Sequence, residues 1–385
     1  LWLLAGAVEQ KLRVRYWGFA VLVGAFAAWS FLSAWQASDA RSARIGWAEQ
    51  VALFSAAFVT IQLCTSRRRF ILLTSVLAAL GLTLALKGLA QVGWERAEGA
   101  QFFEMYGVEQ LTSMGLRPDD PKALAYVERI LRPTPTGYFG LSNVLASMLA
   151  LALGAVFGLA TAKAFYARWK RRQDGPLPAG QLRPATLAAV LTALTAAPMA
   201  VVLVFTESRG GVGASLVVLS ATLIGLRFRK ALARRWKAAV LAVAVLVALG
   251  IAGVIAYGVA KDRLPVKTMA IRWFYWTGSA QIVRERPCWG AGASNFSQAY
   301  LKVRRPEAEE AVKTPHNVIA HAMTQYGVPG GVLYLAVLGG MLIWAWRPKN
   351  GELEAGSRKH EAGIGTLGFV VAMVLFCRCV FGGVG

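Results

Sequence analysis

Several stretches of this chain run for about twenty residues with almost no charge, the length a helix needs to cross the apolar core of a bilayer. Inside lipid no water is available to bond the backbone, so only helices and closed barrels cross it. These runs are continuous rather than alternating, which excludes a barrel. Only 16% of the 385 residues are charged while 56% are hydrophobic, too little charge for a soluble chain of this size. The sequence therefore predicts an all-α, polytopic helical membrane protein, a bundle of about 9–12 transmembrane helices. It reads as one integral-membrane domain over residues 1–385, without repeats or low-complexity segments.

Apolar spans are expected near 16–35, 47–64, 70–90, 138–166, 185–206, 210–226, 238–259, 328–346 and 362–381. The loops between them alternate in charge. Lys11, Arg13 and Arg15, then Arg67, Arg68 and Arg69, then Arg168, Lys170, Arg171 and Arg172 fall on one side. RFRKALARRWK (227–237) and Arg347, Lys349, Arg358 and Lys359 fall on that side too. Short, strongly basic loops belong in the cytoplasm. This accounts for the net charge of +22 without invoking nucleic acid. The other side carries 36–46 and two long loops of mixed charge, about 91–137 and 260–327. All loops agree with one orientation, long loops outside. Within the first, PDDPKALAYVERILRP places Asp120 as a helix cap, Pro121 in the first turn and Leu124, Val127 and Leu131 on one stripe. A short helix on the membrane surface or against the bundle is expected there.

Four cysteines, Cys64, Cys288, Cys377 and Cys379, supply neither an evident disulfide nor a complete zinc site. No cleavable signal peptide is visible. The opening LWLLAGAV reads as the end of a further helix, so a longer protein is expected.

Polar residues gather where membrane burial makes them costly. In VFTESRGGVGASLVVL (204–219), Glu207, Ser208 and Arg209 join two apolar runs at the outer face, beside glycines that leave backbone room. Arg209 fits either an anion-binding role or a guanidinium reaching to headgroups. In MAIRWFYWTGSAQIVRERPCWGAGASNF (269–296), Arg272 stands among Trp273, Phe274, Tyr275 and Trp276. Such a cluster suits an interfacial anchor, and the guanidinium suits a phosphate. Gly290 and Gly292 could offer amides to an anion, a weak signal. In TPHNVIAHAMTQYGVPGG (314–331), the pair His316-Asn317 follows Pro315, which suits a helix start. His321 is five residues on, about 140° around a helix, so the two histidines do not form a metal pair. His316 reads either as structural or as a group that takes a proton near neutral pH. In TGYFGLSNVLASML (136–149), Asn143 would sit about one turn into a membrane helix, as a cap or an interhelical bond. One picture joins three of these stretches at the same membrane face: Arg209 and Arg272 could hold a diphosphate, and His316 could activate a hydroxyl.

GYFGLSN, TESRGG, IRWFYW…ERPCWGAGASNF and PHNVIAHAMTQYGVPGG, in that order over roughly residues 135–345, resemble the O-antigen ligase and polymerase superfamily of bacterial envelope glycan enzymes. The resemblance implies a GT-C-type glycosyltransferase of the inner membrane. Such an enzyme moves a glycan from undecaprenyl diphosphate to an acceptor hydroxyl at the periplasmic face, with inversion and without metal or cofactor. His316 would be the base; Arg209 and Arg272 would bind the diphosphate. Ser208, Glu207, Asn143, Asn317, Gly290 and Gly292 are supporting candidates. Family members often carry a small or polar residue where Glu207 stands. That leaves open whether Glu207 joins the chemistry or pairs with an arginine. The implied partners are the lipid-linked donor, membrane lipids and an acceptor: lipid A core for a ligase, another glycan for a polymerase, a protein for the third branch. A transporter of lipid-linked sugars is the alternative of another class. It would place charges deep in several helices, whereas here they gather at one face.

Overall fold

A computed structural model describes residues 14, 16–63, 67–117, 119–131, 134–174, 184–228, 235–265, 267–308 and 312–346. The expected span 362–381, the LWLLAGAV opening, Cys64, Cys377, Cys379 and His360 lie outside these residues. All regular structure among the described residues is helical. In chain order the helices are α1 (Trp17–Trp35), α2 (Ala40–Leu63), α3 (Arg67–Ala90), α4 (Arg96–Ser113), α5 (Pro121–Leu131) and α6 (Ser142–Asp174). They continue with α7 (Pro184–Phe205), α8 (Arg209–Arg227), α9 (Trp236–Lys261), α10 (Lys267–Glu285), α11 (Phe296–Val303) and α12 (Val318–Trp346). By length and composition Trp17–Trp35, Ile71–Ser113 and Ser142–Ala160 suit membrane crossing, with shorter apolar helices at Ala189–Phe205 and Ala248–Lys261. The protein is a polytopic helical membrane protein.

The first long loop departs from expectation. Residues 91–95 form one π-helical turn that joins α3 to α4, so Ile71–Ser113 is a helix of 43 residues. That is roughly 65 Å of helix, about twice the thickness of a bilayer's apolar core. Polar residues beyond Ala90 end the apolar span without ending the helix. The expected short helix is α5, with Leu124 and Leu131 exposed and Ala123 buried.

Two compact units result: Leu73–Leu219, and the described residues up to Leu72 together with those from Ser220 onward. In Leu73–Leu219, α3, α6 and α7 meet through Leu84, Leu145, Leu149, Met199 and Val202, all buried. Lipid tails are as apolar as leucine, so close packing, not water exclusion, holds such helices together. Small residues permit that approach. A Cβ on Gly81 would strike Ala152, and one on Gly88 would strike Val202.

In the other unit α1, α2 and α12 enclose an aromatic core. The ring of Phe26, fully buried, makes edge contacts with Phe54, Tyr326 and Tyr334 at 5.0, 5.1 and 5.7 Å. Helix α12 is broken inside this core. Gly327 has φ 70° and ψ −178°, a conformation essentially reserved for glycine. Two residues on, Pro329 has no amide to give to Gln325 and disfavours helical geometry at Val328.

Partners from outside the helix meet this break. The amide of Val328 donates to the Pro287 carbonyl at 2.7 Å. The amide of Ala291 donates to the Thr324 carbonyl at 2.7 Å, and that of Gly292 to the Gln325 carbonyl at 3.0 Å. From α1, Ser33 Oγ also donates to Gln325 O at 2.9 Å and to Trp289 O at 2.6 Å. Trp29 Nε1 donates to Tyr326 O at 3.1 Å, and its ring stacks on Trp289 at 4.9 Å. The segment 287–292 thus replaces the missing turn of helix. Buried irregular backbone is tolerated only where its polar groups find partners in this way.

Adding a Cβ at Gly327 would drive it into the Cys288 carbonyl in a backbone conformation that disfavours it. Gly327→Ala is therefore expected to lower the midpoint of thermal unfolding in detergent, with a loss of about 1–3 kcal/mol from backbone strain alone. Gly339→Ala, in the same helix with open space around it, is expected to be neutral or stabilising.

Candidate active site

The stretch before α12 explains its own His-Asn pair. Asn317 Oδ1 accepts the amides of Ile319 at 2.9 Å and Ala320 at 3.2 Å, and the Asn317 carbonyl accepts the amide of His321 at 2.8 Å. Asn317 is thus the N-cap, and the helix begins at Val318 instead of at Pro315. His316 precedes the cap with φ 51°, a left-handed conformation that histidine adopts more readily than most residues. The imidazole is half-buried.

Helix α10 holds that segment in place. Trp276 Nε1 donates to the Pro315 carbonyl at 3.1 Å. The Tyr275 ring lies 6.0 Å from the His316 ring, tilted by 40°, and is itself packed edge-on against Tyr300 at 5.6 Å. Tyr275 is 2% exposed, so this part of the aromatic cluster is core and not an interfacial anchor. Arg272 is exposed one helical turn before Trp276, about 40° from it around α10. The helix that carries Arg272 therefore also holds the segment that carries His316. The exposed guanidinium can bind an anion, and the half-buried imidazole can take a proton. His321 is less suited, because its Nδ1 is buried with no hydrogen-bond partner.

Gly290 and Gly292 do not serve an anion through their amides. Those amides donate to the carbonyls of Arg286 at 2.9 Å and Gln325 at 3.0 Å. Both residues have positive φ, 67° and 90°, and a Cβ on Gly290 would lie 2.6 Å from the Gly327 amide nitrogen. Their role is to let the 287–292 segment reach the broken helix. Asn295 fixes the far end of that segment: its Nδ2 donates to the Asp39 carbonyl at 3.0 Å, and its Oδ1 accepts the Asp39 amide at 3.3 Å.

Arg209, Ser208, Glu207 and Asn143 lie in the other unit, Leu73–Leu219. Ser208 is buried; its Oγ accepts the Gly211 amide at 3.2 Å, and its carbonyl accepts that of Val212 at 3.0 Å. It caps α8, so Arg209 is the first residue of that helix, exposed at the positive end of the helix dipole. Glu207 is exposed with φ 54°, turning the chain between α7 and α8. Asn143 is the second residue of α6, at the helix start and not a turn inside, and is exposed. A Cβ on Gly211 would meet Ala146 at 2.7 Å, so the first turns of α6 and α8 adjoin. The segment entering α6 is held by Gln91, whose Oε1 accepts the amides of Thr136 at 3.0 Å and Gly137 at 2.7 Å. Two adjoining helix N-termini, one bearing Arg209, present backbone amides and a guanidinium together.

The sequence reading missed Tyr275 and Trp276 as positioning residues and Trp29 and Ser33 as partners of the break. Trp29 and Ser33 carried a usable signal: polar atoms inside an apolar span generally bond across helices.

Residues 194–335 match the sequence model of the family described as O-antigen ligase, a range that holds Arg209, Arg272 and His316. No curated protein sequence matches the chain.

Removing the cap should loosen the histidine's support. Asn317→Ala is expected to cost about 1 kcal/mol of stability. Asn317→Asp, which keeps the accepting oxygen, should retain most of it in the same thermal unfolding measurement.

Proposed function

Starting from the O-antigen ligase family domain at residues 194–335, we propose that this chain transfers a glycan from undecaprenyl diphosphate to an acceptor hydroxyl at the periplasmic face of the bacterial inner membrane, with lipid A core as the leading acceptor. The family supports ligase- or polymerase-type glycan transfer in general; the donor, acceptor and residue roles are our reading. The observation that carries it is the support of His316 and Arg272 by one helix, through Trp276 on Pro315 and Tyr275 beside the imidazole.

In this mechanism His316 takes the proton of the acceptor hydroxyl. The acceptor oxygen forms a bond to the anomeric carbon from the side opposite the leaving group. The bond from that carbon to the phosphate oxygen breaks, and the electron pair leaves with the diphosphate. Configuration at the anomeric carbon inverts. Arg272 neutralises the departing charge; Arg209, exposed at the α8 N-terminus, takes its diphosphate role from the family resemblance alone. Fixed positive groups of this kind stabilise charge only as it develops, which lowers the barrier. Holding the two reactants in line removes much of the remaining entropic cost. The transfer needs no resident metal, so EDTA is expected to leave it unchanged.

Purified protein with lipid-linked glycan and lipid A core should form the joined product in detergent, where transport cannot be scored. His316→Ala should reduce the rate by about 10²–10⁴-fold with unfolding behaviour unchanged. Arg272→Lys should also impair transfer, because an ammonium cannot reproduce the guanidinium fork. Near-normal transfer by His316→Ala would remove the base from this scheme. Product formation only on a second lipid-linked glycan, or on protein, would move the enzyme to the polymerase or protein-glycosylating branch.

A further inference from the structure

On α10, away from the face that carries Arg272, a groove of about 570 Å³ opens between this helix and α11. Its polar lining is Thr277, Gln281, Arg284, Glu285 and Arg305, with Val303 as an apolar floor. Val303 also packs against the core around Tyr275 and Tyr300. Gln281, Arg284 and Glu285 are exposed, and Gln281 Nε2 donates to Glu285 Oε1 at 3.2 Å. Arg305 is fixed in place: its Nη1 meets Asp262 Oδ2 at 2.5 Å, and its guanidinium lies over the Phe274 ring at 5.6 Å. The hydrogen bond from Arg305 holds the Asp262 carboxyl below the usual carboxylate range, so the pair is ionised near neutral pH. Arg284, by contrast, has no hydrogen-bond or ion-pair partner among the described residues. The groove thus combines an amide, a carboxylate and a hydroxyl, which match sugar hydroxyls as donors and acceptors, with one free and one anchored guanidinium.

Its position relates it to His316. Thr277, at one end of the lining, directly follows Trp276, whose indole holds the Pro315 carbonyl beside His316. At 100° per residue, Thr277, Gln281 and Arg284 form a stripe roughly a third of a turn from the Arg272–Trp276 face. Displacement with inversion requires the acceptor and the leaving diphosphate to stand on opposite sides of the reacting carbon. The base that deprotonates the acceptor stands on the acceptor's side, so an acceptor site is expected near His316 and the anion site across the reacting carbon.

We propose that this groove binds the acceptor, and that the acceptor is a saccharide chain carrying an anionic substituent, phosphate or carboxylate, which Arg284 engages. The proposal rests on the transfer reading above for its word acceptor; the binding of an anionic saccharide is separable from it.

The experiment uses the full chain in lipid nanodiscs. The binding probe is phosphorylated lipid A core, with the dephosphorylated form as comparison, measured without any donor. Wild type should bind the phosphorylated probe about tenfold more tightly than the dephosphorylated one, the effect of one charge-assisted contact. Arg284→Ala should weaken the first by about tenfold and leave the second unchanged, and Gln281→Ala should weaken both. Arg286→Ala, an exposed arginine outside the lining, is the control and should match wild type. In the transfer assay Arg284→Ala should raise the acceptor KM with kcat within about twofold and the affinity for undecaprenyl diphosphate unaltered. Equal probe binding by wild type, Arg284→Ala and Gln281→Ala would overturn the proposal, as would no probe binding by wild type. Groove-dependent binding by a wild type that transfers nothing would leave the groove standing and defeat the transfer reading instead.

Discussion

The hydrogen bonds that close the break in α12 are the constraint on which the candidate site depends. An apolar helix interrupted at Gly327 and Pro329 leaves carbonyls and an amide without helical partners, and a buried apolar core cannot supply them. The 287–292 segment and α1 provide them, through Ala291, Gly292, Pro287, Ser33 and Trp29. None of these bonds is strong singly; interhelical bonds in membranes contribute about 0.6 kcal/mol each on average. Their importance is that the alternative is an unmade bond in an apolar layer. The glycine-bearing blocks around 290 and 327 are consequently one structural element.

That element sets where the chemistry can be. Because 287–292 follows α10 directly, fixing it against α12 also fixes α10 beside the segment that enters α12. Trp276 and Tyr275 then reach Pro315 and His316, and Asn317 caps the helix that follows. Arg272 shares the helix face of Trp276, and the polar groove occupies the neighbouring face. A helix with different chemistry on successive faces, beside one imidazole, can separate a leaving group from a nucleophile. In the other unit Arg209 stands at a helix N-terminus that is capped by Ser208 and adjoins the start of α6.

Much of the helix layout was legible because apolar runs report directly on what must face lipid. The limits of α1 and α7 fall within a residue or two of the expected spans. Hydropathy failed where helices outrun the membrane. It ended α3 near Ala90, although the helix continues through the π turn to Ser113. It began the last described span at Val328, although α12 starts at Val318, because His321, Thr324 and Gln325 dilute the apolar signal. For the site, residue type suggested Arg272 and His316, but not what holds them. The partners of the break lie as far as 297 residues apart in the chain, and no local pattern encodes such a pairing. Gly290 and Gly292 were read as offering amides to an anion for the same reason: a sequence shows a flexible residue, not whether its amide is already bonded. The Asn317 cap did leave a local sign, an asparagine just before an apolar helical run.

The central claim is that a polyprenyl diphosphate departs at Arg272 while His316 takes the proton of the attacking hydroxyl. The most direct measurement is a cryo-electron microscopy structure with undecaprenyl diphosphate bound. The account predicts phosphate oxygens within hydrogen-bond distance of the Arg272 guanidinium, with the terminal phosphate beside the His316 imidazole. A diphosphate held elsewhere, touching neither residue, would contradict it.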